Sequence, residues 1–483
     1  MNDFLLNLEP QKIWYYFREI LAIPRPSKKE EKIREYLIDF AKKHNLEHKT
    51  DATGNILITK NAVKGYENKA TVVLQSHIDM VCEKNTDKVF DFDKDGIETE
   101  IKDGWLVAKG TTLGGDNGIG VAMELALLAS DDIEHGKIEC LFTVDEETGL
   151  TGAIGLEPGF FTGKILLNLD SEDDGQFFMG CAGGIGTTVK MKYAVEELPA
   201  DFVAYQLDVK GLKGGHSGDD INRGRENAIK LLNRILRRGI EAFELKINDF
   251  KGGNLHNAIP REASARIAVP QKNAEYFEKF VTKFYEEIKG ELPSTEPDVV
   301  VQSAKCKMQN AIMTDKDALN LVRAISACPH GVIRMTSDMP NFVETSTNLA
   351  SIKMADGRID IGTSQRSSIE SRKYEIAHQV ADVFQLAGAK VEHGEGYPGW
   401  KPNPNSSILK VALDCYERIF HEKGQKLVIH AGLECGLFSE KYPELDMVSY
   451  GPTMRGVHSP DERLEIKTVE KFWALTLEIL KSL

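Results

Sequence analysis

Short apolar runs recur along this chain, and several of them stop at a cluster of His, Asp or Glu. That pattern limits the fold more than any bulk property. Val72-Val73-Leu74, Leu141-Phe142 and Ile165-Leu166-Leu167 are unbroken apolar segments, of the kind that fills a sheet covered on both faces. The first lies in TVVLQSHIDM, with His77 and Asp79; the second in LFTVDEETG, with Glu146 and Glu147; the third in LLNLDSEDDG, with Asp170. Open α/β sheets collect their ligands beyond the carboxyl ends of such strands. Two further blocks, TTLGGDNGIG with Asp116 and GPTMRGVHSPDE with His458, repeat the residue types.

A lone Asp or His at a strand end is usually a cap or a satisfied polar group. Five such blocks in this setting leave little room for that reading. His77, His458 and three carboxylates from Asp116, Glu147 and Asp170 make a mixed nitrogen and oxygen donor set that suits a pair of zinc-like divalent ions. Glu146 is then left over beside Glu147, free to act as a base. An adjacent pair of acids is normally a solvated surface, but this pair directly follows the apolar LFTV. The combination points to a two-metal hydrolase.

At 483 residues the chain is long for one core, so two or three domains are expected. The net charge of -14 argues against a nucleic-acid partner and against an anionic membrane surface. The start, MNDFLLNLEPQKIW, lacks the basic and long apolar parts of a signal peptide, and no apolar segment is long enough to span a bilayer. The seven scattered cysteines contain no C-x-x-C pair, which favours neither a disulfide framework nor a Cys-rich zinc site. The expectation is a reduced, cytoplasmic protein.

Up to about Asp170, strand-like and helix-like segments alternate as in a mostly parallel α/β sheet. Ser27 followed by Glu30 reads as a capping box for a helix carrying Ile33, Tyr36, Leu37 and Phe40. Ile119 to Leu128 reads as a buried helix behind Asp116, whose dipole favours a carboxylate at its start. Beyond Cys181-Ala182-Gly183-Gly184 the texture becomes α+β. VAYQLDVKGL and ASARIAVP read as strands, and GRENAIKLLNRILRRGI, AEYFEKFVTKFYEEI and KDALNLVRAISA as helices. A hairpin turns at Asp356-Gly357. GYPGWKPNPNSS reads as the return linker, after which KLVIHAGLECGLF and DMVSYGP resume the first pattern. The domains expected are 1–186 with 399–483 for the di-metal catalytic part, and 187–398 for an inserted α+β lid that also dimerises.

With H-x-D, GGDNGIG, DEETG, NLDSED and HSPDE in this order, and GGHSGDDI in the insert, the chain resembles the co-catalytic zinc aminoacylase/carboxypeptidase family of metallopeptidases. Within that family it is most similar to the branch of bacterial aminoacyl-histidine dipeptidases, and the resemblance covers essentially the whole chain. It implies two divalent metal ions, zinc foremost, with cobalt or manganese as alternatives. His77 and Asp170 would hold one ion, Glu147 and His458 the other, and Asp116 would bridge them. Asp79 would orient His77, and Glu146 would be the catalytic base.

The same resemblance makes His216 the lid histidine that stabilises the oxyanion; in some relatives it comes from the partner subunit, and the source subunit stays open. Asn257, in GGNLHNAIP, and Arg366, in GTSQRSS, would contact substrate, and an Arg fork suits a C-terminal carboxylate. Many relatives carry Gly-Gly-Thr/Ser-Asp where this chain has His430-Ala431-Gly432-Leu433-Glu434-Cys435-Gly436. Gly432 is carried over as a backbone substrate contact, and His430 and Glu434 are read as structural polar contacts rather than a further metal pair. His44, His48, His135, His330, His378, His393 and His421 receive no role. The resemblance thus implies a homodimeric dipeptidase of broad preference favouring Xaa-His, β-alanyl-histidine included. The alternatives are a tripeptidase, an N-acyl amino acid deacylase, or an inactive peptide-binding relative, against which the intact Glu146 argues.

Overall fold

Every residue of the Val72–His77 and Ile138–Thr143 strands is buried. Successive side chains on a strand point to opposite faces, so a strand buried throughout is covered on both. In the computed structural model, which describes residues 2–337, 339 and 342–483, these strands lie side by side and parallel. Ile165–Asn168 pairs in parallel on the other side of Val72–His77, and Asp446–Ser449 in parallel beyond it. Around this parallel heart the sheet turns antiparallel: Ile56–Lys60 pairs with Ile138–Thr143, and Asp446–Ser449 with Gln176–Cys181. The full order is eight-stranded, ending in Glu47–Thr50 and Gln425–Ile429. Because the heart is parallel, the carboxyl ends of its strands share one edge, and His77, Asp145 to Glu147 and Asp170 follow from them.

The Gly115–Leu128 helix packs on Val72–His77 and on the Gln11–Leu21 helix; it is buried almost from end to end. Its apolar, Ala-rich sequence suits that position. A small four-stranded sheet, ordered Met454–Arg455, Arg463–Glu465, Trp105–Ala108 and Thr99–Lys102, holds the loop that carries His458.

Ser27 and Glu30 correct the capping-box expectation. The helix does start at Glu31, but no side chain caps it. Ser27 instead donates to Asp79 Oδ2 at 2.8 Å, and Glu30 Oε1 accepts from the backbone N–H groups of Lys28 and Asp145 at 2.7 and 3.1 Å. Tertiary partners at the strand ends outbid the local cap.

The chain forms two compact units, 1–180 with 400–428 and 433–483, and 181–399 with 429–432. The second begins at Cys181, ahead of the expected 187, because Gly183–Lys192 pairs along its length with Arg358–Ser367. Its main sheet has nine strands, and the pairings are antiparallel. Val343–Ala355 and Arg358–Ser367 form the expected hairpin, with Asp356 and Gly357 both at positive φ (49° and 73°), the turn geometry whose twist matches paired strands. The helices Ala228–Phe243, Ala274–Glu291 and Glu370–Leu386 pack on strands of this sheet. Asn227 caps the first of them, accepting from Ile229 N and Lys230 N while donating to the Leu349 carbonyl. Among the described residues, no helix is long and apolar enough to cross a membrane.

Candidate metal centre

His77 ends its strand with 1% of its side chain exposed, its Nε2 2.9 Å from Asp116 Oδ1 and 3.4 Å from Asp170 Oδ1. His458 Nε2 stands 3.1 Å from Asp116 Oδ2 and 3.0 Å from Glu147 Oε2. Asp116 therefore offers one oxygen to each histidine, and each histidine has a second carboxylate of its own. Donor atoms of His77, Asp116 and Asp170 lie within 4.8 Å of one another, as do those of Asp116, Glu147 and His458. Glu146 joins His77 and Glu147 in a third such group. The five expected ligands and Glu146 are thus gathered in the first unit.

Electrostatics separates the members. Burial pushes the Glu146 carboxyl well above its usual range and raises those of Glu147 and Asp170, helped for Glu147 by the charge of Asp116. Burial alone would raise Asp116 too, but hydrogen bonds from His458 and His77 hold it far below the ordinary value. Hydrogen bonds to Asp116 and Glu147 push His458 up to about 11. Burial works against a charged His77, yet the Asp170 charge and the surrounding carboxylates keep its pKa well above the usual one. Glu147 Oε1 is buried without a hydrogen-bond partner. Three crowded acids, two imidazoles and a spare carboxylate oxygen fit divalent cations, which need deprotonated ligands and replace those protons.

The support around the donors is as specific as the donors. Asp79 is fully buried; its Oδ1 lies 3.3 Å from His77 Nδ1. It also accepts the backbone N–H groups of Glu146 and Glu147 at 3.0 and 3.2 Å, so one carboxylate orients a histidine and the Glu-Glu turn together. Asn117, following a cis peptide bond, donates to Asp170 and to the Leu169 carbonyl.

Sequence reasoning missed several residues. Glu462, in the same block as His458, accepts from the N–H groups of Leu113, Gly114, Gly115 and Asp116 at 2.7, 3.0, 2.8 and 3.3 Å. The carboxylate expected at this helix start is therefore joined by a second one, and the HSPDE spacing was its only signal. Arg25, buried, donates to the carbonyls of Ile78, Asp79 and Gly114. Gly114 is required there: its φ is +69°, and a Cβ would lie 2.6 Å from Arg25 Nη2. Glu434, by contrast, is read from the sequence as a structural polar contact: its Oε2 accepts from Gln75 Nε2 at 2.6 Å and Thr143 Oγ1 at 2.8 Å, and Asn168 donates to Gln75 Oε1 at 2.6 Å. That network ties the three strands that lead to the candidate ligands.

The second unit gathers other expected residues. His216 pairs through the short strands Gly215–His216 and Ala258–Ile259. Its Nδ1 lies 3.1 Å from Asp219 Oδ2 and its Nε2 3.5 Å from Arg366 Nη2. Asn257 is exposed, and its carbonyl accepts from Ser217 N at 2.8 Å. Gly432 lies against Tyr397, where a Cβ would come 2.8 Å from ring Cε2. His430 Nε2 is 2.7 Å from Ser346 Oγ. Neither His430 nor Glu434 belongs to a candidate metal group among the described residues.

A two-cation centre at the carboxyl edge of a parallel sheet is the mark of a class of metal-dependent hydrolases. The chain belongs to Peptidase family M20/M25/M40, whose description matches residues 73–482. It is 43% identical over 479 residues to the cytosol non-specific dipeptidase of Escherichia coli (strain K12), covering 99% of both chains. The crystal structure of aminoacylhistidine dipeptidase from Vibrio alginolyticus superposes with a TM-score of 0.90 at 44% identity, covering 100% of this chain and 99% of that one. A tripeptidase from Staphylococcus aureus shares the fold, with a TM-score of 0.57 at 18% identity over 98% of each chain.

Because carboxylates hold protons on His77 and His458 near neutral pH, metal uptake should release roughly one to two protons per chain. Titration calorimetry of chelator-stripped protein with Zn2+ in buffers of different ionisation enthalpy would show it, and a heat independent of buffer would contradict it. Glu462→Ala frees four N–H groups around Asp116. It should weaken metal binding about 10–100-fold, the usual effect of removing a residue that orients a ligand, measured by chelator competition.

Proposed function

We propose that this chain is a metal-dependent dipeptidase of broad preference that hydrolyses dipeptides with a free carboxylate, Xaa-His and β-alanyl-histidine among them. The single observation that carries the reading is the division of Asp116 between His77 and His458, each with its own acid. The similarity to two dipeptidases over nearly the whole chain supports dipeptides over tripeptides or N-acyl amino acids, which the same donors would serve.

His77 and Asp170 would hold one ion, Glu147 and His458 the other, with Asp116 between them; the nitrogen and oxygen donors suit zinc, and cobalt or manganese as replacements. Two such ions supply Lewis acidity toward the carbonyl and lower the pKa of water. Glu146 takes the proton of the attacking water and returns it to the leaving amine. Its burial beside Glu147, with its carboxyl drawn above the usual range, suits a group that must both accept and give a proton near neutrality. Asp79 fixes the imidazole of His77 by lying against Nδ1. His216 donates to the oxygen that gains charge as the carbonyl is attacked. Arg366 receives the free carboxylate, with Asn257 and the backbone at Gly432 as further contacts. The name of the Escherichia coli relative places that protein in the cytosol, and we assign this chain there too. A homodimer is the arrangement that the family resemblance implies.

An activity panel tests the reading: chelation abolishes dipeptide hydrolysis, zinc, cobalt or manganese restores it, and tripeptides and N-acyl amino acids turn over poorly. Glu146→Gln should retain its metal and lose about 10²–10⁴-fold in kcat. Loss of a metal with residual turnover would instead make Glu146 the ligand and Glu147 the base.

A further inference from the structure

We propose that Tyr397 is a substrate-binding residue, donating its hydroxyl proton to the same free carboxylate that Arg366 receives. The proposal rests on the reading of Arg366 given above and adds to it a second donor, together with the reason for the glycine at 432.

The charge in this corner of the second unit is unbalanced. Arg366 is only 8% exposed, yet among the described residues no carboxylate stands at ion-pair distance from it. Its Nη1 donates to Tyr397 Oη at 2.9 Å, its Nη2 lies 3.5 Å from His216 Nε2, and its Nε is buried without a partner. The nearby acid, Asp219, is engaged at His216 Nδ1, 3.1 Å away. His430 offers no anion, and it is neutral there: burial, with the Arg366 charge behind it, pushes its pKa down to about 3. A buried guanidinium set among a phenol and imidazoles is costly until an anion meets it.

Tyr397 is placed with unusual investment. Its ring occupies a slot that only glycines leave open: a Cβ at Gly432 would fall 2.8 Å from Cε2, and one at Gly184 2.7 Å from Cζ and Oη. Its backbone exchanges hydrogen bonds with Gly184, at 2.8 and 3.1 Å. Lys373, 1% exposed, donates to its carbonyl at 2.7 Å. All of this holds one phenol oxygen against Arg366. Since that oxygen accepts from the guanidinium, its own proton remains to be given, and beside a positive charge an anion is the acceptor that both groups suit. A carboxylate meets both donors, whereas an amide turns an NH2 group toward one of them.

The test compares Xaa-His with Xaa-His-amide in wild type, Tyr397→Phe and Arg366→Ala, with metal content measured in each. Tyr397→Phe should lower kcat/KM for the acid by about ten- to a hundredfold, the range for a hydrogen bond to a charged group, and leave the amide nearly unchanged. Inhibition by free histidine should weaken in parallel, and inhibition by histidinamide should not. Gly432→Ala, which displaces the ring, should reproduce the selective loss. Equal losses on acid and amide in Tyr397→Phe, or none, while Arg366→Ala still loses selectively, would overturn the role of Tyr397 and leave Arg366 standing. An acid-to-amide ratio unchanged in both variants would overturn the Arg366 reading beneath it.

Discussion

Asp116 holds one carboxylate oxygen 2.9 Å from His77 Nε2 and the other 3.1 Å from His458 Nε2, and the first unit is arranged to keep it there. Burying several acids together is costly unless charge or hydrogen bonds compensate. The compensation comes from backbone groups as much as from side chains. Glu462 collects the N–H groups of the loop that presents Asp116, Arg25 gathers carbonyls from the two loops that bear Asp79 and Gly114, and Asp79 takes the N–H groups of Glu146 and Glu147. The parallel heart of the sheet then makes the arrangement economical in space, since three strand ends bearing candidate ligands open on one edge.

The two units make opposite electrostatic demands. The first concentrates carboxylates that call for cations; the second buries a guanidinium that calls for an anion. The function proposed above assigns each demand its own answer, divalent ions in the first unit and a free carboxylate in the second, and it draws on the family as well.

The cluster of candidate ligands was legible in the sequence because such residue types are rare at the ends of apolar runs. His77, Glu147 and Asp170 could be placed from Val72-Val73-Leu74, Leu141-Phe142 and Ile165-Leu166-Leu167 alone. The hairpin at Asp356-Gly357 was legible for a similar reason, its turn chemistry being local. What escaped is what depends on distant partners. Ser27 and Glu30 look like a cap from their spacing, yet they serve Asp79 and Asp145, far along the chain. Glu462 meets Gly115 across 347 positions, and Glu434, although read as a polar contact, finds Gln75 across 359, separations at which no local pattern names the partner. Tyr397 was hidden in GYPGWKPNPNSS, where Pro, Gly and Asn announce a linker and conceal a side chain held in a slot.

The central claim is that Asp116 joins two cation sites into one centre. Metal stoichiometry by elemental analysis, with a parallel titration of stripped protein, tests it on wild type and Asp116→Asn. Wild type should bind two divalent ions per chain, and Asp116→Asn should lose affinity for both together, since each site gives up a ligand. One ion per chain in wild type, or an Asp116→Asn protein that loses a single ion and keeps the other at full affinity, would contradict the account.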